Sequence, residues 1–153
     1  MAAIAYQRTI PLTKGKETIV DDDDFFKYGK SKWCASWNGS KWYATSKNGF
    51  LHRLILRVPA GFVVDHINGD TLDNRKSNLR ICTQQQNSFN SRSKNPISGY
   101  KGVYKNKKKW HSQLMIDGKH IVGGSFASPL EAAQSYDKLA EKYFGEFAKK
   151  NFQ

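Results

Sequence analysis

Residues 63–87 read VVDHINGDTLDNRKSNLRICTQQQN, and this stretch decides the fold of the amino-terminal half. The apolar run that opens it predicts a strand ending in Asp-His, and a loop rich in Asn, Gly and Asp follows. A second strand fits Leu79–Cys82. Residues 83–86 then have the spacing of a capping box, which predicts a helix that carries Asn87 one turn in. The predicted order is strand, loop, strand, helix.

This order would bring together groups suited to phosphodiester hydrolysis. In such a ββα hairpin the end of the first strand and the first turns of the helix converge, so Asp65 and Asn87 could bind one cation through oxygens. His66 would face the other side of a bound phosphate and act as base for the attacking water. The cation would be Mg²⁺ or Mn²⁺, because such ions accept a few oxygen ligands and supply a Lewis acid. By itself, an Asp-His pair with later asparagines is more often structural.

The surrounding sequence resembles the HNH homing endonucleases of phages and mobile introns over most of residues 8–90. The segments that carry the resemblance are IPLTKGK at 10–16, VDD at 20–22, LHRLIL at 51–56, VDHINGD at 64–70, DNR at 73–75 and SNLR at 77–80, ending in Thr83 and Asn87.

The resemblance implies a role for each central residue. His66 is the general base, Asp65 binds a divalent metal ion, and Asn78 holds the catalytic loop and orients the histidine. Asn87 stands where the last histidine of the motif often lies, which implies an amide ligand. His52 also belongs to the family pattern, but a histidine on an apolar helix is more often a packed, hydrogen-bonded residue, so we do not count it as catalytic.

The segments before this motif predict small β elements. Short strands fit residues 9–12 and 18–20, and Asp21–Asp24 predicts the start of a short helix rather than a metal site, since adjacent carboxylates diverge and repel. A hairpin over residues 33–47 has an Asn-Gly turn that would oppose Trp37 with Ser40. Its apolar face would hold Trp33, Ala35, Trp37, Trp42 and Ala44, and its basic face Lys32, Cys34, Ser36, Lys41, Tyr43, Thr45 and Lys47. That basic face is either solvated or a second DNA-binding surface.

The carboxyl-terminal part predicts a sheet packed on a helix. The polar run SRSKNPIS at residues 91–98 predicts a linker. A helix should begin at Ser128, with Pro at its first position and Glu131 closing a capping box, and should end at Gly145. Strands are predicted at 100–105, 109–117 and 119–127, the last two joined by Asp117-Gly118.

Alternation along the second of these strands separates a core face from an open face. Trp110, Ser112, Leu114 and Ile116 should face the helix, and His111, Gln113 and Met115 should be free to meet a ligand. A sheet of this width suits a DNA major groove.

The same part of the chain resembles the plant ethylene-response-factor type of DNA-binding domain. The matching segments are GYKGVY at 99–104, KW at 109–110, GSF at 124–126, EAA at 131–133, SYD at 135–137 and KKNF at 149–152. The resemblance implies a sheet docked in the major groove. The base-reading residues of the plant family are mostly absent, at Tyr104, Met115, His120 and Val122, so we carry over the fold and the docking face but not the plant target sequence.

The charge of the chain predicts a polyanionic partner. Lys and Arg number 25 against 13 Asp and Glu, which gives a net charge of +12. The excess is concentrated in residues 92–119, where eight basic residues face Asp117 alone. We expect DNA contacts from Lys32, Lys41, Tyr43, Lys47, Arg75, Arg80, Tyr104, Lys105, Lys107, Lys109, His111, Gln113, Met115 and Lys119. Within the carboxyl-terminal part, Lys105, Lys107, Lys108, Lys109 and Lys119 should mainly contact phosphates.

Other classes are disfavoured. The longest apolar stretch, residues 54–64, is interrupted by Arg, Pro and Gly and is too short to span a membrane. Cys34 and Cys82 have no CxxC spacing and no secretory signal accompanies them, so we expect free thiols and no disulfide or zinc site. We expect a cytoplasmic, nucleoid-associated protein of a bacterial or phage-infected cell.

The sequence thus predicts an α+β protein with three parts. Residues 1–92 would form a small ββα-metal HNH nuclease domain (motif core 62–92) with an N-terminal β-hairpin region, 93–98 a linker, and 99–153 a three-stranded antiparallel sheet on one helix. The expected function is metal-dependent hydrolysis of double-stranded DNA by a monomer, with no evident protein partner. The alternative is a non-catalytic, sequence-specific DNA-binding regulator, and an RNA-binding protein is a third possibility.

Overall fold

The computed structural model describes residues 7–91 and 95–152, a mixture of small antiparallel sheets and a few helices. The chain divides into two compact units, Met1–Asn87 and Ser88–Gln153. Of the predicted linker, residues 93 and 94 lie outside the described residues. Residues 95–98 form a turn in which Asn95 Oδ1 accepts hydrogen bonds from the backbone of Ile97 (2.9 Å) and Ser98 (3.3 Å). Over the described ranges no helix is long and apolar enough to cross a membrane.

The first unit opens with a hairpin of β1 (Gln7–Pro11) and β2 (Glu17–Asp21), which leads directly into α1 (Asp22–Tyr28). Both predicted strands and the predicted helix start are confirmed. Three aspartates occupy the first turn of α1, where negative charge is favourable to the helix dipole.

The next elements are β3 (Cys34–Trp37), β4 (Trp42–Ser46), β5 (Gly49–Phe50) and α2 (Leu51–Leu56). The predicted hairpin exists, but its predicted register is wrong, because Trp37 pairs with Trp42 and not with Ser40. The loop has four residues, and Asn38 Oδ1 accepts hydrogen bonds from the backbone of Ser40 (3.0 Å) and Lys41 (2.8 Å). Since the error is two residues, the side chains stay on their predicted faces.

Residues 63–89 form β6 (Val63–His66), a 3-10 turn (Lys76–Asn78), β7 (Leu79–Cys82) and α3 (Gln84–Phe89). The two strands pair antiparallel, so the predicted order is confirmed. The capping box is also confirmed: Thr83 N–H donates to Gln86 Oε1 (2.9 Å), and Gln86 N–H donates to Thr83 Oγ1 (3.2 Å).

The core of the first unit draws on every sheet of that unit. Its buried apolar side chains are Ile10, Leu12, Val20, Trp33, Ala35, Ala44, Leu51, Ile55, Val64 and Leu79. The apolar face predicted for the β3–β4 hairpin is thus packed inward, although Trp37 at its end is exposed. This core fixes α2 and β6, the two elements that carry His52 and His66.

The second unit is a sheet of β8 (Val103–Asn106), β9 (Lys109–Ile116) and β10 (Lys119–Phe126), with β9 in the middle, and α4 (Pro129–Phe144). The Asp117-Gly118 turn has positive φ at both residues (50° and 74°), as predicted. The first strand was predicted to start at residue 100, and it starts later because Gly102 turns the chain at φ 68°, under the Tyr136 ring.

Helix α4 confirms its predicted caps and its predicted partner face. The Ser128 side chain accepts from the Glu131 backbone, the Glu131 side chain closes the box, and Gly145 ends the helix. Ser112 and Leu114 are buried, and Leu114 packs with Tyr136, Ala140 and Phe144. A second cluster joins Val103 to Ala132 and Ala133, with Trp110 against it.

Candidate active site

The loop between β6 and β7 is held by its own asparagines. Asn78 is buried and bridges the two ends of the loop: its Oδ1 accepts from Asn68 N (2.9 Å), and its Nδ2 donates to Asp73 O (2.8 Å). Asp73 is also buried, and its carboxylate accepts from Asn68 Nδ2 (2.9 Å) and from both ends of the Arg75 guanidinium. The loop is therefore a fixed frame for the residue that precedes it, His66.

His66, at the end of β6, is 5% exposed and is held by Asn74. Its Nε2 lies 3.2 Å from Asn74 Oδ1, and Asn74 is fully buried. The Asn74 amide nitrogen donates to Thr18 Oγ1 (2.7 Å), and Thr18 donates in turn to Leu72 O (2.7 Å). A buried chain of hydrogen bonds thus runs from a backbone carbonyl to the histidine ring.

The direction of this chain fixes which ring nitrogen of His66 carries the proton. Leu72 O can only accept, so the Thr18 hydroxyl donates its one hydrogen to it. The Thr18 oxygen must therefore accept from the Asn74 NH₂ group. The Asn74 oxygen then faces His66 Nε2, which has to be the N–H donor. In the neutral ring the other nitrogen, Nδ1, keeps its lone pair and can accept a proton.

The electrostatic environment favours that neutral ring. Burial lowers the pKa of His66 below its ordinary value of 6.5, and the nearby Lys41 lowers it further. The hydrogen bond to Asn74 and the charges of Asp65 and Asp70 oppose this by raising the pKa. His66 is therefore a base that is unprotonated near neutral pH.

Asp65 and Arg80 face each other across the β6–β7 hairpin. Asp65 is 3% exposed, and its Oδ2 accepts from Arg80 Nη2 (2.6 Å) and Nε (2.8 Å). Arg80 fixes the carboxylate and offsets its charge. Arg80 was predicted to contact DNA, but its side chain is only 14% exposed, and the structure places it against Asp65.

Asp65 and Asn87 carry the oxygens predicted to hold a metal ion. The Asp65 carboxylate is nearly buried at the end of β6, and Asn87 is half-buried on α3, with its N–H bonded to Thr83 O (3.0 Å). A carboxylate oxygen and an amide oxygen fit a hard divalent cation, which prefers oxygen ligands and retains water molecules. The donor chemistry of this pair therefore suits Mg²⁺ or Mn²⁺.

The rings of Tyr43, Phe50, His52 and His66 form one cluster. Phe50 stacks on His52 (5.3 Å between centroids), His52 meets His66 edge to face (5.2 Å), and Tyr43 lies 5.8 Å from His52 and 6.4 Å from His66. Tyr43, which belongs to the predicted basic face of the β3–β4 hairpin, therefore packs against the candidate site. Burial raises the pKa of Tyr43, so its hydroxyl stays protonated.

The other predicted DNA contacts of this unit surround the loop or lie at the surface. Lys41 is exposed, and its Nζ donates to Gly69 O (3.1 Å) beside the loop. Lys32 and Lys47 are exposed. The Arg75 guanidinium already makes contacts within the protein: it forms an ion pair with Asp73, and its Nη1 donates to Gln7 Oε1 (3.2 Å).

The acidic residues at the start of α1 form a cluster whose charge is partly neutralised by Lys76. Asp21, Asp23 and Asp24 bring their carboxylate oxygens within 4.8 Å of one another. Lys76 Nζ bonds Asp23 and lies 3.0 Å from Asp24, while the Lys76 backbone N–H donates to Asp21 (2.7 Å). Lys76 lowers the pKa of Asp23, whereas burial raises that of Asp24. The cluster therefore ties α1 to the 3-10 turn before β7 through the Lys76 ammonium group.

The open face of the second unit gathers part of the predicted set. Tyr104 pairs with His111 across the sheet, and their rings stack at 5.4 Å. Gln113 is half-buried and Met115 is exposed on the same face. By alternation Lys109 shares this face, while Lys105 and Lys119 point to the other side, Lys105 over the Trp110 ring at 5.5 Å. Lys107 is exposed in the β8–β9 turn with φ 52°.

Sequence reasoning missed Asn74 and Thr18, and it set aside His52. Asn74 was interpreted as part of a polar turn, because burial of a loop asparagine leaves no local signal. Thr18 lies 56 residues from Asn74 in the chain. Alternation along β2 does place Thr18 on the same buried face as Val20. A buried threonine needs a hydrogen-bond partner, and this was the signal that could have found it.

Comparisons with known proteins show which family the chain resembles. A family profile described as HNH endonuclease matches residues 50–89. The chain is 32% identical over 159 aligned positions to the uncharacterized HNH endonuclease L560 of Acanthamoeba polyphaga mimivirus, covering 97% of this chain and 82% of that protein. It is 34% identical over 65 positions to Protein 3.8 of Escherichia phage T7, covering 40% of this chain and 54% of that protein. No solved structure matches. The chain belongs to the HNH endonuclease family.

Proposed function

We propose that this protein is a metal-dependent DNA endonuclease in which His66 is the general base. The observation that carries the proposal is the buried chain Leu72–Thr18–Asn74–His66, which leaves Nδ1 of a neutral imidazole as the proton acceptor. A histidine held by a neutral amide keeps its base strength while its orientation is fixed. The family acts on DNA and generally uses a divalent metal ion.

The reaction proposed is hydrolysis of one phosphodiester bond. His66 Nδ1 takes a proton from a water molecule, the water oxygen forms a bond to phosphorus, and the bond from phosphorus to the leaving sugar oxygen breaks. Asn78 holds the loop that positions His66. Asn74 keeps its hydrogen bond to the ring after the proton transfer, because its oxygen accepts from Nε2–H in the neutral ring and in the imidazolium alike.

Asp65 and Asn87 are the residues that would hold the divalent ion. When bound, Mg²⁺ or Mn²⁺ would supply Lewis-acid stabilisation of the charge on the leaving oxygen. Arg80 keeps the Asp65 carboxylate in one orientation, so the ligand is fixed before the ion arrives.

The carboxyl-terminal unit is proposed to target the cut. Its open face carries Tyr104, Lys109, His111, Gln113 and Met115, and the resemblance to ethylene-response-factor domains supports docking in the major groove. A binding module joined to a nuclease raises the effective concentration of DNA at the active site. The family profile matches one stretch, residues 50–89, and one such site in each molecule supports nicking by a monomer.

The test is conversion of supercoiled plasmid to nicked and linear forms with Mg²⁺, Mn²⁺ or chelator, comparing wild type with His66→Ala. We expect nicked circles from the wild type with metal only, and none above background from His66→Ala at equal DNA binding. Tight binding with no cutting by either protein, on phage and bacterial DNA alike, would instead support the non-catalytic regulator. Preferential binding of matched duplex RNA would contradict the DNA assignment.

A further inference from the structure

His52 is a buried titratable side chain that the proposed mechanism does not use. It lies on α2 and is 8% exposed. The Phe50 ring stacks on it with an interplanar angle of 26°, and Tyr43 packs beside it. The imidazole is thus fixed on one side and meets the edge or face of His66 at 83° on another.

Packing alone does not explain why this ring is an imidazole. His52 Nδ1 is buried and has no hydrogen-bond partner among the described residues. Asp24 Oδ2, the other buried polar atom without a hydrogen bond there, still has the Lys76 ammonium group at 3.0 Å. A buried polar atom without a partner destabilises the folded protein, because it has given up its hydrogen bonds to water. An apolar ring would fill the same space without that cost. An imidazole at this position therefore suggests that His52 Nδ1 forms a hydrogen bond with a bound ligand.

The ring is also uncharged where the nuclease would work. Burial, with the neighbouring His66 and Arg53, lowers the pKa of His52 to about 3. A neutral His52 does not repel the positive charge that His66 gains when it takes a proton. The two histidines can therefore lie in contact without opposing the proposed proton transfer.

We propose that His52 is a positioning residue of the nuclease site, whose Nδ1 gains its hydrogen-bond partner when DNA and its water enter and which thereby fixes the His66 ring for reaction. This inference rests on the proposed function of His66. Asn74 restrains the His66 ring through Nε2, and His52 restrains it through the contact between the two rings. A small misplacement of a catalytic group lowers the rate strongly while substrate binding is unaffected.

The kinetic test compares His52→Phe and His52→Asn with wild type on supercoiled plasmid. Phenylalanine keeps the ring and removes both nitrogens, and asparagine places an amide near the Nδ1 position. We expect His52→Phe to lower kcat about 10- to 100-fold with KM within about twofold, and His52→Asn to recover part of the loss. Full activity of His52→Phe overturns the inference, as does a loss that falls equally on DNA binding.

A second measurement keeps the inference testable if either variant folds poorly or the plasmid is not cut. Nitrogen NMR of histidine-labelled wild type, free and saturated with a short mixed-sequence DNA duplex in the presence of Ca²⁺, reports the hydrogen bonding of each ring nitrogen. We expect the His52 Nδ1 signal to shift on DNA binding, and an unchanged signal at saturation overturns the inference. An active His52→Phe beside an inactive His66→Ala defeats this inference alone, whereas an active His66→Ala defeats the proposed function.

Discussion

The two units of the chain use polar residues in opposite ways. In the first unit the polar residues around His66 are buried and bonded to one another, and Asn74, Thr18, Asp73 and Asn78 are each at most 6% exposed. In the second unit His111, Gln113 and Met115 of the central strand lie on an open sheet face, with Met115 58% exposed. Proton transfer needs a group fixed before substrate arrives, whereas DNA binding tolerates side chains that adjust on contact. The difference supports the proposal that the first unit carries the chemistry and the second contacts DNA.

Removing the Asp65 carboxylate should produce the largest effect. We expect Asp65→Asn to lower metal-dependent nicking at least about 100-fold, because the Lewis acid contributes several kcal/mol and would lose its charged ligand. The measurement is the nicking rate against Mn²⁺ concentration.

The matched control for Asp65→Asn is Arg80→Gln, which breaks the same ion pair and keeps the carboxylate. Both variants should lose stability in urea, since each leaves a nearly buried charge or amide without its partner. Equal loss of activity in the two would mean that Asp65 acts only through the ion pair.

Breaking the hydrogen-bond chain to His66 should come next. Asn74→Ala removes the acceptor of Nε2–H and leaves Thr18 Oγ1 without its donor, so we expect a loss of about 1–3 kcal/mol in the free energy of unfolding. The nicking rate should fall about 10-fold or more while DNA affinity holds. Asn48→Ala, at an exposed asparagine of the same unit, is the control and should change neither quantity. A stable Asn74→Ala protein with normal nicking would contradict the role of the chain.

The buried histidines should make the first unit sensitive to acid. The unfolded chain takes up a proton on His52 near pH 6.5, whereas the folded protein does so only near pH 3. The stability contributed is complete above pH 6.5 and is lost as pH falls toward 3, by on the order of 1 kcal/mol per pH unit for each such histidine. Urea unfolding at pH 7, 6 and 5 should show a smaller loss for His52→Phe than for wild type. Parallel curves would contradict the neutral, buried state of His52.

Neutralising a lysine on the open face of the second unit should give the smallest effect. Lys109→Gln should weaken DNA binding modestly and reduce the slope of log affinity against log salt by about 1, as expected for one lost phosphate contact. Lys138→Gln, at an exposed lysine of α4 on the other side of the sheet, should leave the slope unchanged. A larger effect from Lys138 would mean that the docking face is wrong.

Local rules predicted most of the fold because its elements are short and strongly marked. The capping boxes at Thr83 and Ser128 and the Asp117-Gly118 turn are confirmed, since each depends on residues at most three apart. The β3–β4 register was wrong because Asn38 builds a four-residue loop through its own side chain, and nothing in Asn-Gly alone distinguishes that loop from a two-residue turn.

The candidate site was predictable only in part. Asp65, His66 and Asn78 follow from the motif, but the surroundings of His66 do not. His52 contacts its ring from α2, and Thr18 of β2 holds Asn74, which bonds His66. The sequence also treated the hairpin face with Tyr43 as an outer surface. Its contact with His66 depends on tertiary packing that alternation cannot report.

The central claim, that His66 is a neutral base whose Nδ1 carries no proton, can be tested without knowledge of the DNA target. Nitrogen NMR of the histidine-labelled protein at pH 7 distinguishes a protonated from an unprotonated nitrogen in each ring. We predict a protonated Nε2 and an unprotonated Nδ1 for His66, with that pattern lost in Asn74→Ala. A proton on Nδ1, or an imidazolium at pH 7, would contradict the account.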